Sequence, residues 1–420
     1  MVGFLEFWLN RLLERLWAKP ILACAASLVA VHSAGWIGRS PLGGLLPSVE
    51  AGALAAMLRT LSGSMLVVAT FAVGSMVTAL ASAGRDATPR TFALIVSDDN
   101  SQNALSVFIG AFIYGVVALL YFEDGFFAPE GESALLLMSV AVLALVVLTF
   151  VRWVDGIARL GRLGAVVERA ERAATRTFER RMRIAARVRE PGEETDGVPL
   201  LARDIGYVQR VDLEALQARC DEGGVRVSVL AMPGKFVGPG VLLARVRSDD
   251  DAGGERIDLD AFASAFRVGR SRTFDEDPCF GLIVLSEIGS RALSPAVNDP
   301  GTAIDIVRSF VRIIARLAMP AHTPGAESLD RVDVTPLTAE SIFDDAFGSI
   351  ARDGAGLVEV GLALQSAFGS LGSLPDAEIR AAAVAQSRLA LRRAELAMEL
   401  PEDFERLRAA AAGLASDAAD

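Results

Sequence analysis

The 420-residue chain has little histidine, little cysteine and, over long stretches, no charge. Its two histidines, His32 and His322, are far apart, and its three cysteines, Cys24, Cys220 and Cys279, are odd in number and scattered. Neither a disulfide framework nor a Cys/His zinc site can be assembled within one chain, and the cysteine usage fits an intracellular setting. Two histidines in unrelated regions exclude a Ser/His/Asp or Cys/His triad. A basic excess is also missing. The formal net charge of -11 argues against a nucleic-acid partner. The segment PGKFVGPG has Gly-Lys, but no Ser or Thr follows Lys235 and the glycine spacing of a phosphate-cradling loop is absent, so it reads as a turn. No catalytic residue, cofactor or metal is assigned.

What is present in excess is apolar: 52% of residues, with a mean hydropathy of +0.40. The excess is concentrated in four stretches, residues 20–37, 61–83, 104–122 and 134–151, each near the roughly 20 residues that cross a bilayer as a helix. Residues 1–19 read as an interfacial amphipathic helix, with Arg11, Arg15 and Lys19 on its polar side and Trp8 and Trp17 suited to the lipid interface; they are expected to be a retained anchor rather than a cleaved signal peptide. His32, beside Ser33 and Trp36, reads as a hydrogen-bonded interfacial anchor. The loop between the third and fourth spans carries Glu123, Asp124, Glu130 and Glu132 without a basic residue, whereas arginines crowd the chain after the fourth. The positive-inside rule then places both termini in the cytoplasm, with Arg39 and Arg59 in the first loop as the discordant charges.

Residues 152–189 read as a basic juxtamembrane helix, held against anionic headgroups or neighbouring subunits, or else solvated with Glu168, Glu171 and Glu179 in local pairs. An acidic Pro/Gly linker spans 190–199. A β-rich module is expected over 200–258, with Ile205, Tyr207 and Val211 in its first strand and Asp212 capping a short helix, followed by a helical module over 259–420. The expected fold is therefore a membrane α-helical protein of four transmembrane helices with a cytoplasmic α+β domain.

The densest chemistry lies in RSRTFDEDPCFGLIVLSEIGSRALSPAVNDPGTA, residues 270–303. Asp277-Pro278 and Asp299-Pro300 are strong helix starts, the carboxylate accepting orphan amide protons and proline lacking the one that would be wasted. Asp275, Glu276, Asn298 and Asp299 could alternatively supply oxygen ligands to a hard cation, though their spacing matches no calcium loop. Arg291 is expected to pair with one of these carboxylates. The strings TFDEDPCFGL and RALSPAVNDPGTA, which contain Ser294, together with TPRTFALIVSDDNSQNALSVFIGAFIYGVVALL and PGKFVGPGVLL, resemble the signature of the bacterial membrane-protein family catalogued as domain of unknown function 2254. Glu276 stands where that pattern has an amide, and Gly301 where it has a bulky residue. The resemblance implies four spans in a bacterial inner membrane and no particular reaction.

Thr70, Gly74, Thr78 and Ser82 recur at intervals of four through the second span, with Val67 and Phe71 nearby. Small residues at that spacing serve close helix packing, or line a hydrated axis in an oligomer with Val67 and Phe71 as a constriction. The function expected from the sequence is a homo-oligomeric channel-like protein, its partners the bilayer and further copies of itself, with the cytoplasmic domain as vestibule or gate. The alternative is a membrane-anchored sensor or scaffold whose cytoplasmic domain binds a ligand or partner.

Overall fold

The computed structural model describes residues 18–38, 51–86, 88–91, 99–160, 163–190, 196–248, 258–318 and 328–416. The chain divides into two compact units, Met1–Val166 and Val167–Asp420. The first holds helices α1 (Ala18–Gly38), α2 (Ala51–Asp86), α3 (Asp99–Glu123) and α4 (Pro129–Leu160). Each contains a stretch long and apolar enough to span a bilayer: Ala18–Ile37, Gly52–Thr78, Ser101–Glu123 and Pro129–Ile157. Such runs fold as helices because a hydrocarbon environment leaves the backbone no partner but itself.

Helix α2 starts ten residues before the expected span, because Leu54 and Leu58 are fully buried and extend the packed seam. The helices approach closely at two small-residue contacts. A Cβ on Gly110 of α3 would stand 3.0 Å from the Ala23 Cβ, and one on Gly115 would stand 3.0 Å from the Ser62 backbone nitrogen. The buried Tyr114 hydroxyl lies 3.0 Å from Ser139 Oγ, so its polar tip is satisfied inside the bundle. Arg59, near the start of α2, pairs at 2.8 Å with Glu123 at the end of α3, and Gly35 near the end of α1 sits against Phe126. These ends therefore share one side of an antiparallel bundle, and the acidic loop supplies the partner of the discordant Arg59. The amphipathic residues 1–17 lie outside the described residues.

The second unit begins within α5 (Leu163–Ala185), which ends short of the expected residue 189. Its charges point to neither lipid nor solvent alone. Arg312 clamps Glu171 through two bonds of 2.7 and 2.6 Å, and Arg316 meets Glu179 at 2.7 Å, both arginines coming from α9 (Pro300–Leu317). Of the expected local pairs, Glu168 meets Arg172 at 3.0 Å. The adjoining face of α5 buries Ala170, Ala173, Ala174 and Phe178.

Two small sheets follow. Strands β1 (Val198–Leu201), β3 (Val225–Val229), β5 (Leu242–Ser248) and β7 (Val332–Val334) form one in the order β1-β5-β3-β7, with β7 parallel to β3. Strands β2 (Gly206–Val211), β4 (Phe236–Val237) and β6 (Phe266–Gly269) form the other, in the order β4-β2-β6. Val225, Val227 and Val229 point into the shared core, as their alternation with Arg226 and Ser228 requires. Strands β6 and β7 lie in the region expected to be helical throughout, and β1 begins inside the expected linker. Strands of three or four residues are too short to display a period. Ile205 lies outside the strands and is exposed.

Asp212 caps the helix α6 (Leu213–Gly223) as expected, accepting from Ala215 N, and α7 (Leu259–Ala263) is a single turn. The remaining helices, α8 (Pro278–Ala292), α9, α10 (Ala339–Asp353), α11 (Val358–Gly372), α12 (Ala377–Ala397) and α13 (Pro401–Ser416), pack around a phenylalanine cluster in which Phe347 contacts Phe310, Phe343 and Phe368 at ring separations of 5.0–5.4 Å. Helix α8 is the centre of this unit. Cβ atoms on Gly281 and Gly289 would come within 2.6 Å of Ala174 and 2.5 Å of Ile350, so only glycine admits α5 and α10 this closely.

Candidate functional site

The residues grouped in sequence as one motif occupy opposite ends of α8. Asp275, Glu276, Asp277 and Pro278 open the helix. Arg291, Ser294, Asn298, Asp299 and Pro300 close it and start α9. Fifteen helical residues separate the ends by roughly 22 Å. The four oxygen ligands considered for a hard cation are thus not brought together, and among the described residues no His/Cys/Asp/Glu group is arranged to hold a metal.

At the far end the geometry is that of a tight corner. Ser294 Oγ donates to Arg291 O at 2.7 Å, Asn298 N donates to Ser294 O, and Asp299 N returns to Ala292 O at 2.8 Å. Asn298 takes a left-handed conformation with φ of 48°, which asparagine tolerates better than most residues. Asp299 then accepts from Thr302 N and Thr302 Oγ1 at 3.1 and 2.6 Å, and these bonds hold its carboxyl below the usual range. Arg291 and Ser294 border an open polar groove between α8 and α10, together with Arg352 and Asp353.

The near end is built differently. Asp277 accepts from Phe280 N at 3.1 Å as an N-cap and is also clamped by Arg272, at 2.5 Å from Nε and 2.9 Å from Nη2, while almost fully buried. The same carboxylate abuts Gly234 of the PGKFVGPG turn. Gly234 has φ of 99°, and a Cβ there would sit 2.7 Å from both carboxylate oxygens. Glu276 is paired with Arg180 of α5 at 2.9 Å and with Arg210 of β2 at 3.5 Å. Burial nevertheless leaves its carboxyl above the usual range. The arginines that meet Asp277 and Glu276 are Arg272, Arg180 and Arg210. Cys279 donates to Asp345 of α10, and burial raises both groups.

Between these elements lies a half-enclosed cavity of about 340 Å³. Its walls are apolar at Ile184, Leu213, Met232 and Leu337 and charged at Arg180, Arg181, Lys235, Arg272, Glu276, Asp277 and Asp345. A second cavity of about 320 Å³, with Phe178, Ile314, Ile342 and Phe343 in its floor, shares Arg181, Pro336 and Leu337 with the first. Two strings with 38 residues between them, PGKF and DEDPC, thus converge on the first cavity. A family model of predicted membrane proteins, catalogued as domain of unknown function 2254, matches residues 14–370. The chain belongs to this family. The domain of unknown function 2254 match takes in all four apolar helices and both cavity-forming strings. Similar proteins include one from Mycobacterium bovis and two from strains of Mycobacterium tuberculosis, each described as uncharacterized and each 33% identical over 134 residues. That alignment covers 31% of this chain and 26% of each relative. No solved structure matches.

Sequence reasoning singled out Glu276, Asp277 and Pro278 but not Arg180, Arg181, Arg272, Gly234, Lys235 or Asp345. The turn holding Lys235 carried a signal in its own family string. Asp345 carried none, since nothing local in its helix distinguishes it. In the first unit Thr70, Gly74 and Thr78 lie exposed on α2, as do Val67 and Phe71. The Ser82 side chain lies outside the described residues. Thr70 Oγ1 and Thr78 Oγ1 donate to Leu66 O and Gly74 O, so each hydroxyl is satisfied by its own helix. Phe71 makes an edge contact with Trp153 at 6.1 Å.

Proposed function

We propose that this is a membrane-anchored ligand-binding protein, a sensor whose second unit faces the cytoplasm and receives a small molecule in the cavity at the start of α8. The observation that carries the reading is the convergence of the PGKF turn and the DEDPC helix start, with Asp277 touching both, on a concave, mostly apolar space with a few placed charges. An Asp-Pro helix start needs no cavity and no arginine clamp to do its capping. The acidic loop between α3 and α4 and the arginines that follow α4 favour an orientation with both termini inside a bacterial inner membrane.

The test is thermal denaturation of the detergent-solubilised full chain against a panel of anionic, neutral and cationic small metabolites. A true ligand raises the melting temperature in proportion to the logarithm of its concentration. Met232→Trp, which fills the cavity, abolishes that shift. A panel without a saturable stabiliser, or one whose stabilisers act equally on Met232→Trp, rejects the reading.

A second reading, a homo-oligomeric channel, is favoured by one observation: the Thr70, Gly74 and Thr78 stripe faces outward from the subunit, free to meet other copies around an axis. Reconstituted protein then passes ions in a manner altered by Thr78→Trp and not by Leu136→Trp. A monomeric particle rules it out.

A further inference from the structure

The charges around the cavity do not cancel. Asp277 is taken by Arg272, Glu276 is shared by Arg180 and Arg210, and Asp345 accepts from Cys279. Arg181 and Lys235 remain, neither paired with a carboxylate among the described residues. Lys235 is exposed and rests on the Leu230 carbonyl at 3.1 Å. Arg181 is the costlier of the two. Its Nη2 donates to Thr335 O at 2.6 Å, while its Nη1 is buried with no hydrogen-bond partner. Burial also pulls the guanidinium below its ordinary value. A desolvated guanidinium with an idle donor is expensive unless an acceptor completes it, and its planar fork matches an oxyanion. Because Nη1 is shielded from solvent, that acceptor has to be a group seated against the side chain after a small reorientation of the guanidinium.

The side from which the anion comes follows from the other charges. The second cavity bordering Arg181 is rimmed by Glu190, Asp376 and Glu378 against Arg189 alone, which repels an anion. The first offers Lys235 in addition, and its carboxylates Glu276, Asp277 and Asp345 are engaged by Arg180, Arg272 and Cys279. We propose, on the basis of the ligand-binding reading above, that the first cavity takes a small organic oxyanion, a carboxylate or phosphate monoester with an apolar body, its charged group received by Arg181 and Lys235 and its body by Ile184, Leu213, Met232 and Leu337. The shared chemistry is a compact oxyanion on an apolar stem.

Titration of the full-length protein in detergent with benzoate, phenyl phosphate and inorganic phosphate, and with benzamide and benzylamine as neutral and cationic counterparts, tests this. Benzoate or phenyl phosphate binds saturably and more tightly than inorganic phosphate, which lacks the stem, and which of the two binds better separates a carboxylate from a phosphate ligand. Benzamide and benzylamine bind at least tenfold more weakly. Arg181→Met weakens the anion at least tenfold without lowering the melting temperature of the unliganded protein, since a well-packed apolar replacement removes an unpaired buried charge. Arg181→Lys recovers part of the affinity, and Lys235→Gln weakens it severalfold. If Arg181→Met proves unfolded, the Lys235→Gln loss and the charge selectivity of the wild type still decide. A cavity that takes neutral or cationic probes and no anion overturns this inference while leaving the ligand-binding reading intact; one that takes none of the three classes overturns both.

Discussion

Asp277 and Asp299 begin helices with the same Asp-Pro step and sit in opposite surroundings. Each carboxylate accepts an amide proton three residues on, at 3.1 Å in both. Asp299 adds only the near neighbours Thr302 and Gly301 and remains half-exposed at the α8–α9 corner. Asp277 is 3% exposed and adds Arg272 on one side and the Gly234 turn on the other. One short motif therefore supplies a local cap at one end of α8 and the keystone of a cavity at the other. Capping chemistry is a property of the dipeptide, whereas burial belongs to whatever else packs there.

The largest effect expected is that of Asp277→Ala. It removes the cap and strands Arg272 beside the buried Phe280 ring, which should destabilise by about 3–5 kcal/mol and show as a collapse of the urea midpoint for the second unit. Asp277→Asn, which keeps a cap but not the charge, should recover only part of this. Next comes Gly234→Ala, which combines a left-handed backbone with a Cβ driven into the Asp277 carboxylate; a loss of more than about 2 kcal/mol is expected, with loss of the cavity. The matching change at the other corner, Gly301→Ala, meets only Asp299 Oδ1 at 3.3 Å and should stay within about 1 kcal/mol of wild type, because a helix gains from alanine what the small contact costs. If the two glycine substitutions behave alike, the contrast between the corners is wrong.

Asp299→Ala should cost about 1 kcal/mol, the usual worth of an N-cap. The smallest effect concerns pH. The Asp299 carboxyl titrates below its unfolded value, so its contribution is fully present above the ordinary aspartate range and is lost as pH falls through the lower, folded value. The urea-midpoint difference between wild type and Asp299→Asn should accordingly shrink as pH is lowered from 5 toward the acid limit. A difference that grows over that interval would reverse the sign of the assignment. Glu276 and Asp345 act oppositely: raised by burial, they bind protons more readily folded than unfolded and lose stability as pH rises through the window between their ordinary and raised values. Glu276→Gln and Asp345→Asn should each flatten that part of the pH profile of the midpoint.

Much of the first unit was legible because a bilayer imposes a single long-range rule, that of uninterrupted apolar helices. Packing adds to that rule. Residues 52–58, which the sequence allows as an extension of the second span, join α2 because Leu54 and Leu58 find partners, and the packing seam uses Ser62 with Gly115 rather than the more conspicuous Thr70–Gly74–Thr78 series. The charged helix α5 shows the same limit. Glu179 has Arg176 and Arg183 of its own helix within reach, yet it pairs with Arg316, and Glu171 pairs with Arg312, both more than a hundred residues later, a choice made by the packing of α9.

By itself the sequence determined the four apolar spans, the two Asp-Pro helix starts, the Asp212 cap, the inward alternation of β3 and the family strings, all of them consequences of residue type at short separation. Only the tertiary structure decided that the DEDPC and NDP strings are roughly 22 Å apart along α8 and that PGKF, from another part of the chain, is the true neighbour of Asp277. It also decided that Arg181, one arginine among many in a basic run, is half-buried with its Nη1 shielded from solvent and without a hydrogen-bond partner. Proximity across long separations is set by which apolar faces bury together, and a charge acquires its meaning from the water and partners that burial takes away.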